Sequence, residues 1–204
     1  MTEPSAAPAN TEDAAWASFK TPLDKTSLVD FCQDVERLIR INPYLEFARW
    51  EPCGSNSFRF QGRNLSQDPP FDFELELHVE PKPDGLHIRY NRGLKSSTTF
   101  SVKSTDNGSE LTITEDYAAV TEKERQKRLH EVDRSLVKWA EDLQGYLIRW
   151  DHWSWFSPWR CYMRRVWQPM KPTARRITYI LLWISVVEIA LIALGVAIYF
   201  AEYR

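Results

Sequence analysis

Few side chains in this 204-residue chain are spaced to do chemistry, and those few sit on predicted strands or within one apolar run. Leu111, Ile113 and Glu115 share one parity of a predicted strand, with Tyr117 next in the series. Leu45, Phe47 and Arg49 do the same on another. Facing inward, Arg49 and Glu115 would fix the polar end of a ligand or serve as base and acid. At strand ends in water they would do neither. Tyr90 is a third proton-bearing group on an apolar parity. If Glu80 pairs with Gly85, His78 faces His87, Glu76 faces Arg89, and Glu76 or Glu80 completes a three-ligand set. Two outward histidines are too few, and His130 and His152 have no partner at ligand spacing, so no metal site is expected. No nucleophile–base spacing, glycine-rich phosphate loop or catalytic carboxylate pair stands out. The reading therefore assigns no catalytic residue and no cofactor.

The remaining unusual group is Glu188, twelfth of the 24 mostly apolar residues Ile177 to Phe200. As a helix this run spans roughly 36 Å, enough to cross a hydrocarbon core of about 30 Å with some tilt. A carboxyl at mid-depth must be protonated or paired. The alternatives are a polar or basic group in the helix of an integral membrane complex, a second copy, or a lone protonated acid. Ala193, Gly195 and Ala197 give a small-residue face for close helix approach.

Before the span lies a Trp/Arg-rich collar, residues 151–176. Five of the nine tryptophans fall between Trp150 and Trp167. Trp153, Trp155, Trp159 and Trp167 suit a headgroup layer, where a ring is half apolar and half wet. Trp159, Tyr162, Met163, Val166 and Trp167 form one side of a short helix, with Arg160, Arg164 and Arg165 largely opposite. That pattern fits a helix lying in the interface plane, or aromatics packed on the domain or on a partner. Residues 149–176 carry a net charge of +6, whereas residues 1–148 carry -7. An acidic domain on a basic collar disfavours nucleic acid and suits anionic membrane lipids. The basic flank places the large domain in the cytoplasm of a single-pass protein, taken as bacterial inner membrane. Cys32, Cys53 and Cys161 form no CxxC pair and suit a reducing compartment. Residues 1–13 read as a disordered lead without signal-peptide features.

The elements that position these groups are legible from periodicity. Leu28, Phe31, Val35, Leu38 and Ile39 predict a helix ending near Asn42-Pro43. Strands follow at Leu45–Trp50, Phe58–Arg63, Phe71–Val79, Leu86–Tyr90, Leu94–Ser104 and Ser109–Tyr117, after a short first strand at Trp16–Thr21. The clearest alternation is Phe71, Phe73, Leu75, Leu77 and Val79 against Asp72, Glu74, Glu76, His78 and Glu80. Thr121-Glu122-Lys123-Glu124 is a capping box. Behind it Leu129, Val132, Leu136, Ala140, Leu143, Leu147 and Trp150 mark one long amphipathic helix.

One apolar sheet face and one apolar helix stripe are economically satisfied by an α+β fold with a curved sheet wrapped round the long helix. Residues 14–150 resemble the START-like (SRPBCC, helix-grip, polyketide cyclase/dehydrase and lipid transport) superfamily. The resemblance is carried by Glu36-Arg37-Leu38-Ile39-Arg40-Ile41-Asn42-Pro43-Tyr44, by the hairpin Thr99–Val102 to Leu111–Tyr117, and by the long final helix. It implies a pocket between sheet and helix, lined here by Phe58, Phe60, Phe71, Phe73, Leu75, Leu77, Leu86, Ile88, Tyr90, Phe100, Val102, Leu111 and Ile113. Such a lining suits a lipid, isoprenoid or quinone; the same residues would also simply fill a core. Three functions fit: a membrane-tethered binder of a hydrophobic ligand, an accessory subunit docking through Glu188, and a cyclase- or dehydratase-type enzyme using Arg49, Glu115 or Tyr90.

Overall fold

The computed structural model describes residues 14–92, 95–117 and 122–202, with backbone only along 122–134. The lead, Leu94, the capping box, Leu129, His130 and Val132 lie outside the described side chains. Among the described residues, seven strands form one antiparallel sheet: β1 (Ala14–Thr21), β2 (Leu45–Pro52), β3 (Ser57–Asn64), β4 (Phe71–Lys82), β5 (Gly85–Tyr90), β6 (Ser97–Thr105) and β7 (Gly108–Asp116). Their order is β1-β7-β6-β5-β4-β3-β2. Helix α3 (Glu122–Trp153) packs on the apolar face, which gives the expected helix-grip arrangement.

Between β1 and β2 the structure departs from the single predicted helix. Asp34 divides it into α1 (Lys25–Gln33) and α2 (Val35–Arg40). The Asp34 backbone leaves the helical region, at φ -80° and ψ 74°, while its carboxylate accepts from the Arg37 amide at 3.4 Å. One aspartate therefore closes the first helix and caps the second, a competition between side chain and backbone that apolar periodicity does not register. Asp24 caps α1 in the same way, accepting from Ser27 at 3.0 Å.

The β4–β5 register also differs from expectation. Lys82 pairs with Gly85, so Glu80 faces His87 and His78 faces Arg89. The turn is two residues long, Pro83-Asp84, and Gly85 has φ +152°. A Cβ on Gly85 would lie 1.9 Å from the Phe100 carbonyl oxygen, so the tight hairpin needs glycine there. The shift is two residues, which preserves the apolar parity but separates the two histidines. His78 shares a hydrogen bond with Ser57 (3.0 Å) and His87 with Thr99 (2.8 Å).

The packed centre comprises Leu77, Leu86, Ile88, Phe100, Leu111 and Ile113 from the sheet, with Leu28 and Leu38 below and Leu143 and Leu147 from α3. Trp139 meets Phe100 edge-on at 5.6 Å and donates to the Leu38 carbonyl at 3.3 Å. Cys32 lies in this core, and burial pushes its thiol up to about 12. Cys53 and Cys161 are exposed. Maleimide labelling of the native protein at pH 8 should accordingly modify two thiols and spare Cys32, with the third reacting only in denaturant. Rapid native labelling of Cys32 would contradict the packing described.

Candidate functional site

A partly open cavity of about 490 Å³ lies where the sheet's packed centre gives way toward the starts of β2 and β4. Its size falls within the usual range for small-molecule sites. Along β4 the inward residues become steadily less covered, from buried Leu77 through half-buried Leu75 and Phe73 to exposed Phe71. The opposite wall is Ile39 and Asn42 from the end of α2, Leu45 of β2, and Trp139 of α3. Asn64, Gln67 and Pro69 close one side, and Tyr90, Arg92 and Lys95 another.

Of the expected lining, Phe60, Phe71, Phe73, Leu75 and Tyr90 face this cavity. Leu77, Ile88, Phe100 and Ile113 instead form the packed centre, each at most 1% exposed, because α3 presses directly on that part of the sheet. Phe58 stacks on Trp50 at 5.2 Å, beyond the cavity wall. Ile39, Asn42, Leu45, Asn64, Gln67, Pro69, Arg92, Lys95 and Trp139 are additions to the expected lining. For Trp139 the sequence holds a signal: it falls on the α3 stripe between Leu136 and Leu143. Ile39 and Leu45 lie on the helix and strand periods already read, Asn64 ends β3, and Asn42, Gln67, Pro69, Arg92 and Lys95 come from connecting segments, where no period applies.

Arg49 and Glu115 do not meet. A bulge in β2 between Phe47 and Arg49 breaks strict alternation. Phe47 lies opposite Gly62, but Arg49 lies opposite Gln61, so it turns outward and pairs with Glu51 at 2.6 Å, while Trp50 takes the inward place opposite Phe60. Glu115 does point inward and is 0% exposed. Its two oxygens are taken by the Lys95 ammonium and the Tyr117 hydroxyl. Nearby, the Tyr90 hydroxyl shares a 3.1 Å hydrogen bond with Thr98, and burial pushes its phenol above the usual range. No group of three or more metal-ligating side chains occurs among the described residues.

The collar is α4 (Ser157–Tyr162), whose last turn opens into a π-helical turn over Met163–Trp167. Of the face expected to lie in the headgroup plane, Trp159, Met163 and Trp167 are docked on the domain, whereas Tyr162 and Val166 remain exposed. Met163 is buried, and Trp159 and Trp167 pack against the core. Trp150 stacks with Tyr146 (6.1 Å) and meets Trp159 (5.5 Å), while Trp167 meets Tyr146 (5.4 Å). Trp153 and Trp155 remain exposed, as do Arg160, Arg164 and Arg165, with Arg164 over the Trp150 ring. Beneath the stack lies Arg37, 4% exposed, its guanidinium 3.9 Å from the Trp150 centroid and its Nε donating to Tyr146 Oη at 2.9 Å. Its Nη2 has no hydrogen-bond partner, so ring faces take the place of an acid.

Helix α5 (Pro172–Glu202) begins five residues before the predicted span. It is long and apolar enough to cross a membrane, and its apolar window is 0% buried by the rest of the chain. Glu188 stands midway along it, exposed. The root of α5 is clamped to the domain. Arg175 donates to the carbonyls of Arg40 (2.9 Å), Trp167 (3.1 Å) and Gln168 (2.8 Å), and Lys171 pairs with Glu46 at 3.4 Å. Arg40 and Glu46 thus hold α5, and between and beside them Ile39, Asn42 and Leu45 wall the cavity.

No family model and no curated protein matches this chain. Solved structures do. The protein TTHA0849 from Thermus thermophilus superposes over 67% of this chain and 97% of its own, at 11% identity and a TM-score of 0.52. The Zhui aromatase/cyclase from Streptomyces sp. R1128 covers 68% of this chain and 94% of its own, at 13% identity and a TM-score of 0.54. The likeness is one of fold: the chain carries a helix-grip domain like those structures, followed by an apolar C-terminal helix.

Truncating Arg37 to Ala should lower stability by about 2–4 kcal/mol, since it removes a desolvated cation–π contact and strands the Tyr146 hydroxyl. Urea unfolding with near-ultraviolet dichroism would show this, with the tryptophan signal of the collar lost first. A change below about 0.5 kcal/mol would mean the ring stack holds without its cation.

Proposed function

We propose that this protein is a membrane-anchored START-like domain that binds a hydrophobic ligand (a lipid, isoprenoid or quinone) at the cytoplasmic membrane face, with α5 as its single span. The observation that carries this reading is the double use of residues 39–46. The segment that walls the cavity is also the segment that grips the root of the apolar helix. A ligand leaving the bilayer beside α5 would have a short path to the apolar wall. The basic collar around that root supports contact with an anionic leaflet, to which each nearby arginine adds roughly 1 kcal/mol. Exposed Trp153 and Trp155 suit the headgroup layer, whereas Trp159 and Trp167 serve mainly to fix the collar to the domain.

The test is purification of the full chain in mild detergent, followed by organic extraction and mass spectrometry. A hydrophobic small molecule should copurify near stoichiometrically. In Leu75→Trp, where a larger ring occupies the cavity, it should fall at least fivefold without loss of helical signal. Absence of any such molecule, together with no uptake of added hydrophobic probes, would overturn the reading.

A second reading, an accessory subunit of a membrane complex, is favoured by the pattern along α5. At about 100° per residue, Thr178, Ser185, Glu188, Gly195, Tyr199 and Glu202 fall within roughly 120° of one another. The same sector also holds Ile177, Leu181, Ile184, Ile192 and Val196, so what suits a helix–helix contact there is the carboxyl of Glu188 and the small Gly195 rather than a polar stripe. Glu188→Leu should leave the protein in the membrane fraction but release a copurifying integral membrane partner. Unchanged copurification would remove this reading's main support.

A further inference from the structure

We infer that the cavity selects amphiphiles carrying an anionic end group, a carboxylate or a phosphate, and that Arg92 is the residue that reads it. The inference rests on the hydrophobic-ligand reading and narrows its chemistry. The cavity lining includes two cations, Arg92 and Lys95, and no acid. Lys95 is answered by Glu115, whose remaining oxygen is held by Tyr117, so that this ion pair is closed on itself. Among the described residues, no carboxylate forms an ion pair with Arg92, which stands at the rim beside Tyr90. One positive charge is therefore left facing the opening.

The neutral polar groups lean the same way. Asn42 Oδ1 accepts from the Tyr44 amide at 2.9 Å, and Asn64 Oδ1 accepts from the Ser66 amide at 2.8 Å. Both side chains are turned by the backbone so that the carbonyl end is engaged, which leaves their NH₂ groups to meet other partners. The polar part of the wall is thus rich in donors, and the complementary end of a ligand is rich in acceptors. Ile39, Leu45, Phe60, Phe73, Leu75 and Trp139 supply apolar lining for a chain or ring system. A guanidinium at the rim makes charge-assisted, bidentate bonds to carboxylate or phosphate, which a neutral ester or alcohol does not reproduce.

The experiment uses full-length protein in a neutral sugar detergent. It compares 11-(dansylamino)undecanoic acid with its methyl ester by energy transfer from tryptophan. The acid should bind at least tenfold more tightly than the ester, and more weakly as salt rises. In Arg92→Gln that preference should fall to within about twofold, with ester affinity unchanged; Arg92→Lys should restore part of it. Arg92 is exposed, so neither variant should disturb folding, whereas a Lys95 variant would leave Glu115 buried and unpaired. A fluorescent phosphatidic acid probe separates the two sources of the anion: binding sensitive to Arg92→Gln there assigns a phospholipid headgroup, and sensitivity confined to the single-chain acid assigns a free acid. Equal binding of acid and ester to the wild type overturns the inference while the hydrophobic cavity stands. Binding of neither probe overturns both.

Discussion

The structure turns on a buried cation without an acid. Arg37 sits at the start of α2, its guanidinium between the rings of Phe31, Tyr146 and Trp150, so it joins both short helices to the grip helix. Tyr146 and Trp150 in turn carry Trp167 and Trp159 of the collar. An isolated guanidinium in a low-dielectric interior would cost several kcal/mol, and the arrangement stands because quadrupolar ring faces and one phenol oxygen replace water. The domain is tied to the apolar helix through this stack, through the Arg175 bonds beside it and through the Lys171–Glu46 pair.

The stack explains why the collar is not a loose amphipathic ribbon. Trp159, Met163 and Trp167 are already held by the domain, and Arg160, Arg164 and Arg165 face outward. The tryptophans divide by position: Trp159 and Trp167, carried back by the chain's return after the α3–α4 corner, meet Trp150 and Tyr146, whereas Trp153 and Trp155 at the corner itself have only the adjacent rings of His152 and Phe156.

Much of the fold was legible because its strands alternate cleanly and its long helix has one stripe. Phe60, Phe73, Leu75 and Tyr90 share the parity that faces the cavity. Four things were not legible, each for its own reason. The Asp34 break follows from a side chain capping a backbone amide. The outward turn of Arg49 follows from one extra residue in β2, which reverses every parity beyond it. The distinction between packed and open parts of the apolar face depends on where α3 lies along the strands, a fact of tertiary placement that Phe100 and Phe73 do not encode separately. The polar rim, Arg92 and Lys95, comes from a loop with no period to read.

The three carbonyl bonds of Arg175 have a consequence for motion. A guanidinium that holds Arg40, Trp167 and Gln168 at once leaves little freedom for swivel where the helix enters the domain. Such a domain is not a bucket on a rope. With α5 across a bilayer, as proposed, it would ride at a set height and tilt, like a keel-mounted instrument, and its exchange would be limited to whatever drifts within reach of its own base.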